Sequence, residues 1–128
     1  VPRVLFVDAH RNTRETLEWG LALSGWTADT ASGAREARRL CLGQQYDAIV
    51  CDIRMPDGNG VEFVADLRKT DGGVRLVLIT AYEPTEREAR IARTLGADLL
   101  IKPVTAEALA TCCRQSSASS GAYGRPAP

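Results

Sequence analysis

Short apolar runs alternate with helical patterns along the chain, five times over, and no other feature limits the possible folds as much. Such a β–α repeat builds a parallel sheet, because parallel neighbours need a crossover long enough to hold a helix. Val4-Leu5-Phe6-Val7 is the first run, and Asn12 with Glu15 three residues later reads as a capping box. The helix it opens passes through Leu17 and Leu21 to about Ser24, where Gly25 stops it. Trp26 to Ala31 alternates weakly, as an edge strand would, and Ala34 to Leu42 is a short helix closed by Gly43. Ala48-Ile49-Val50-Cys51 and Leu76-Val77-Leu78-Ile79 are continuously apolar, which predicts central strands covered on both faces. Asn59 with Glu62 caps a helix to about Lys69, and Pro84 begins another that ends near Leu95-Gly96. Leu99-Leu100-Ile101 is the fifth strand, and a last helix runs from Thr105 to about Gln115.

The chain has 128 residues, enough to bury one core without disulfide or metal staples, so a single domain is expected over residues 1–115. Ser116 to Pro128 is Ser, Gly, Ala and Pro with little to bury, and reads as a flexible tail or linker. Sixteen basic residues balance sixteen acidic ones, which argues against nucleic acid or an anionic membrane as a direct partner. Arg35, Arg38 and Arg39 accordingly read as the solvated face of a helix. Four cysteines without a C-x-x-C pair, and one histidine, give no zinc set and suit small buried thiols in a reducing cytoplasm. No apolar stretch approaches the roughly 20 residues of a membrane span. Val1 stands where an initiator methionine would, so a processed product or an excised fragment is expected.

Asp8 follows the first apolar run, Asp52 the third, Thr80 the fourth and Lys102 the fifth. In an open parallel sheet the carboxyl ends of the strands form one crevice, and ligands bind where the strand order reverses. Taken singly, Asp8 and Asp52 could cap helices, Thr80 could bond local backbone, and Lys102 could be solvated. Together they supply an anionic nucleophile, a second carboxylate for a hard cation, a hydroxyl donor and an ammonium. Those are the parts needed to hold and receive a phosphoryl group.

From Arg3 to about Gln115 the chain resembles the receiver domains of response regulators. The segments that carry the resemblance are Leu5-Phe6-Val7-Asp8 with Arg14 beyond it, the run from Tyr46 to Pro56 around Asp52, and Gly58 to Gly60 opening a helix. Leu78-Ile79-Thr80-Ala81, Gly96-Ala97-Asp98 and Lys102-Pro103 complete the set. The resemblance implies a doubly wound, flavodoxin-like sheet of order 2-1-3-4-5 with five helices. It implies a non-enzymatic signalling role in a two-component phosphorelay, with Asp52 taking a phosphoryl group from a histidine kinase or phosphotransfer domain. By position, Asp8, Asp52 and the backbone carbonyl of Arg54 would hold Mg2+, Thr80 would bond a phosphoryl oxygen, and Lys102 would pair with the acyl phosphate. A cis Lys102–Pro103 peptide, a homodimer or a covalently linked output domain also belong to the family pattern.

Ala9 stands where the family carries a second acidic residue that touches the metal, so the resemblance implies weak Mg2+ binding. Leu99 stands where a Tyr or Phe usually lies, so readout cannot use an aromatic swing, and the segment from Gly96 to Lys102 is one residue short of the common pattern. These departures define the alternative of a phosphorylation-independent interaction module. His10, a poor Mg2+ ligand on a loop, reads as plain surface. An aspartate-nucleophile phosphatase would need a second Asp where Arg54 stands, and Ala9 to Arg14 is no glycine-rich phosphate loop.

Overall fold

A computed structural model describes residues 1–114; the tail read over residues 116–128, and Gln115, lie outside the described residues. The elements are β1 (Arg3–Val7), α1 (Arg11–Leu23), β2 (Thr27–Ala31), α2 (Ala34–Gly43), β3 (Ala48–Asp52), β4 (Arg54–Met55), β5 (Gly58–Asn59), α3 (Gly60–Thr70), β6 (Arg75–Thr80), α4 (Glu86–Leu95), β7 (Asp98–Ile101) and α5 (Ala106–Arg114). Five strands form a parallel sheet in the order β2-β1-β3-β6-β7, which is the expected 2-1-3-4-5 topology. β3 and β6 are buried along their whole length, as their unbroken apolar runs require.

Successive strand residues point to opposite faces, so each run feeds two cores. Leu5, Val7, Ile49, Cys51, Leu76 and Leu78 pack against Ala34 and Ala37 of α2, Phe63 and Val64 of α3 and Ala92 of α4. Val4, Phe6, Val50, Val77 and Ile79 pack against Leu17 and Leu21 of α1 and Leu109 and Ala110 of α5. The buried guanidinium of Arg75 reaches Asp98, the carbonyl of Cys112 at 2.9 Å and that of Gly96 at 3.2 Å, tying β6 to β7 and α5. Among the described residues, no helix is long and apolar enough to cross a membrane.

Two expected helix starts are corrected. α1 begins at Arg11 with His10 in the cap position and no side-chain cap, so Asn12 lies within the first turn. The Asp8 carboxylate fixes this entry by accepting the His10 N–H at 2.8 Å, while Glu15 turns to Arg11 at 3.0 Å instead of reaching back. α4 begins at Glu86, not Pro84, because Thr85 and Glu88 form a reciprocal capping box. That helix ends at Gly96, whose φ of 71° is a left-handed conformation that glycine adopts without a Cβ penalty. Asn59 caps α3 as expected, Thr105 precedes α5 and accepts the N–H of Ala108, and the Lys102–Pro103 peptide is cis. β4 and β5 form a short antiparallel ribbon after β3, for which the sequence carries no alternation signal.

Candidate functional site

The strand order reverses between β1 and β3, and the carboxyl ends of these two strands deliver Asp8 and Asp52 to one crevice. β6 ends on Thr80, and the Lys102 N–H bonds the Thr80 carbonyl at 2.7 Å, so the end of β7 is held beside that of β6. From there the Lys102 ammonium reaches back across the sheet. Its Nζ stands 2.9 Å from Asp8 Oδ2 and 2.9 Å from Asp52 Oδ2. Residues 8, 52 and 102 thus converge from three strand ends.

The Asp8 side chain is fully buried, and its Oδ2 accepts no well-directed hydrogen bond; Lys102 is its counter-charge. Burial pushes the Asp8 pKa up, but Lys102 and the His10 N–H outweigh it and hold the carboxyl below the usual aspartate range. For Lys102, burial favours the neutral amine, and the ion pairs with Asp52 and Asp8 outweigh that and raise the pKa above the ordinary lysine value. At neutral pH Asp8 is therefore an anion facing a charged Lys102 ammonium.

Thr80 is buried, and its hydroxyl oxygen accepts the Tyr82 N–H at 3.2 Å. Its strand end lies beside Asp52 because Asp52 pairs with Ile79 in the register. The Arg54 N–H points to Asp52 Oδ1 at 3.3 Å, and its guanidinium lies 5.5 Å from the centre of the exposed Tyr82 ring. Arg54 therefore places its charge over Tyr82 at the rim. Gly60 closes the floor, since a Cβ there would stand 2.2 Å from the Asp52 carbonyl oxygen. A cleft of about 480 Å³, lined by Thr13, Thr16, Leu17, Pro103 and Val104, opens beside Lys102.

Sequence reasoning undervalued two residues. His10 is exposed as expected, but its Nδ1 stands 3.1 Å from Asp8 Oδ1, and Asp8, His10 and Asp52 present ligand atoms all within 4.8 Å of one another. Asp57 accepts the N–H groups of Ala34 and Arg35 at 2.8 and 3.0 Å and so caps α2. The first had a local signal in its two-residue spacing from Asp8, whereas the second spans 23 residues and had none.

The profile of the response regulator receiver domain matches residues 4–114. This chain belongs to that family. The receiver is 38% identical over 110 residues to the transcriptional regulatory protein PrrA of Mycobacterium tuberculosis, covering 85% of this chain and 47% of that protein. It is 33% identical over 101 residues to the transcriptional regulatory protein CusR of Escherichia coli, covering 79% of this chain and 44% of that protein. The chain thus spans about half the length of these relatives, and 22% of the regulatory protein AtoC of Escherichia coli. The non-phosphorylated HemR receiver domain of Leptospira biflexa superposes with a TM-score of 0.79 at 27% identity, covering 90% of this chain and 96% of that one. This receiver is therefore a signalling domain of two-component systems.

Proposed function

We propose that this receiver accepts a phosphoryl group on Asp52 from the phosphohistidine of a histidine kinase or phosphotransfer domain. The observation that supports this reading best is the Lys102 ammonium bridging Asp8 and Asp52 at 2.9 Å where the sheet order reverses. A carboxylate oxygen of Asp52 attacks phosphorus; an O–P bond forms as the N–P bond breaks, and the leaving imidazole takes up a proton. Lys102 follows the charge onto the acyl phosphate, and the Thr80 hydroxyl donates to a phosphoryl oxygen.

The donor set suits a divalent cation, because two buried carboxylates converge and Asp8 Oδ2 lacks a hydrogen bond. Asp8, Asp52 and the Arg54 carbonyl are the residues that would hold Mg2+, which when bound neutralises phosphoryl oxygens. A cytoplasmic location follows from a kinase partner, and the relatives' extra length favours a covalently linked output domain. The receiver itself contacts neither membrane nor nucleic acid in this reading.

Incubation with acetyl phosphate or phosphoramidate, with and without Mg2+, followed by intact-mass measurement tests the proposal. One phosphoryl group is expected on the wild type and none on Asp52→Asn. Undiminished labelling of that variant, or phosphate mapped to Asp8 or Asp57, refutes the assignment. An unlabelled wild type leaves the interaction-module reading, whose support is Ala9 and the ring-free Leu99.

A further inference from the structure

Resting on the reading of Asp8 and Asp52 as cation ligands, the geometry points to a site for a borderline divalent transition ion, held by Asp8, Asp52 and the His10 imidazole. His10 is pinned in place. Its N–H bonds Asp8 Oδ1 at 2.8 Å, which turns the chain so that ring and carboxylate share one side, with Nδ1 3.1 Å from that oxygen.

These spacings suit one ion. Ligands bound at about 2.1 Å stand about 3.0 Å apart when adjacent on an octahedron and about 4.2 Å apart when opposite. The His10–Asp8 separation of 3.1 Å is an adjacent edge, and all three residues offer atoms within 4.8 Å of one another. The Asp8 side chain is completely buried, and its Oδ2 accepts no well-directed hydrogen bond and faces the Lys102 ammonium at 2.9 Å.

Chemistry selects the class of ion. Mg2+ takes oxygen ligands and gives up water reluctantly, so it gains little from an imidazole. Nitrogen ligands favour Fe2+, Ni2+, Cu2+ and Zn2+. Replacing a carboxylate at Ala9 by an imidazole at position 10 removes one negative charge and adds one nitrogen, and both changes move preference away from Mg2+. His10 is also solvent-exposed, so an ion enters without unfolding the loop.

The sole histidine of the chain makes the test unambiguous in untagged protein. Zn2+ is titrated into the unphosphorylated receiver, with affinity read by calorimetry and the imidazole nitrogens read by NMR. The His10 Nδ1 resonance is expected to shift with Zn2+ but not with Mg2+. His10→Ala is expected to weaken Zn2+ binding at least tenfold and change Mg2+ affinity less than twofold; His10→Gln serves as a second variant of similar size. Unmoved imidazole nitrogens, wild-type Zn2+ affinity in both variants, or no Zn2+ binding overturns the proposal. The phosphoryl-acceptor reading stands or falls separately, on labelling of Asp52 in Mg2+ alone.

Discussion

Lys102→Met removes the one positive charge between two carboxylates while keeping most of the aliphatic stem. Each Nζ–Oδ2 distance is 2.9 Å, and at an effective dielectric near 20 that corresponds to roughly 5–6 kcal/mol of attraction per pair. Desolvation of several kcal/mol per ion opposes it, and breaking one side of a buried pair typically costs about 3–5 kcal/mol. The Lys102 side chain is only 19% exposed, so solvent screening trims this figure without removing it. A loss of about 3 kcal/mol at pH 7 is expected, which at a urea m-value near 2 kcal/mol/M lowers the midpoint by about 1.5 M.

The pH dependence separates charge from packing. In the wild type the Asp8 pKa is depressed, so the stability Lys102 lends through Asp8 is present above the ordinary aspartate value and is lost as pH falls through the folded value. In Lys102→Met the buried carboxyl lacks its partner and takes up a proton more readily, which relieves the strain in acid. Urea unfolding followed by fluorescence of the buried Trp26 should therefore show the cost falling by at least half between pH 7 and pH 4. Equal cost at both pH values would mean that lost stem packing, not charge, explains the variant. No cost at pH 7 would refute the electrostatic account outright.

Three further outcomes follow from other contacts. Asp57→Ala should lose about 1 kcal/mol, because it uncaps α2 at Ala34 and Arg35, and hydrogen exchange at the start of that helix should speed up selectively. Gly60→Ala should cost roughly 1–3 kcal/mol and lower the rate of Asp52 labelling, since its Cβ would stand 2.2 Å from the Asp52 carbonyl; a neutral result in thermal unfolding would show that α3 shifts freely. Ala9→Asp should tighten Mg2+ binding at least roughly tenfold in calorimetry of the unphosphorylated receiver, because it adds a carboxylate to a site whose two acids share Lys102; unchanged affinity would mean that position 9 faces away from the cation.

The sheet was legible because its signal is local and redundant. β3 and β6 are unbroken apolar runs, and the convergence of Asp8, Asp52 and Lys102 follows from strand ends once the order 2-1-3-4-5 is set. Helix starts were less legible because several residues compete to satisfy the same N–H groups. Asn12 with Glu15 lost to Asp8, which lies outside the helix, and the start signal of Pro84 lost to the adjacent Thr85 and Glu88, the pair that forms the capping box. The β4–β5 ribbon pairs Arg54 with Asn59 and Met55 with Gly58, too short a run to show alternation. Asp57 capping α2 depends on where two distant segments dock, which no window of sequence records.

The departure at Leu99 takes on a definite meaning in this geometry. Leu99 is a partly buried member of the core beneath α2, α3 and α4, so the position serves packing. Direct contacts link the crevice to the loops around it. The Thr80 carbonyl accepts the Lys102 N–H, and the Thr80 hydroxyl accepts the Tyr82 N–H, so the loops after β6 and β7 are both tethered to one residue. Arg54, bonded through its backbone to Asp52, lies over the Tyr82 ring and joins the loop after β3 to the same group. A hydroxyl can donate and accept at once, so Thr80 can bond a phosphoryl oxygen without releasing Tyr82. Tyr82 is thus the exposed aromatic at the mouth of the site, and Arg54 is the charge that lies over its ring.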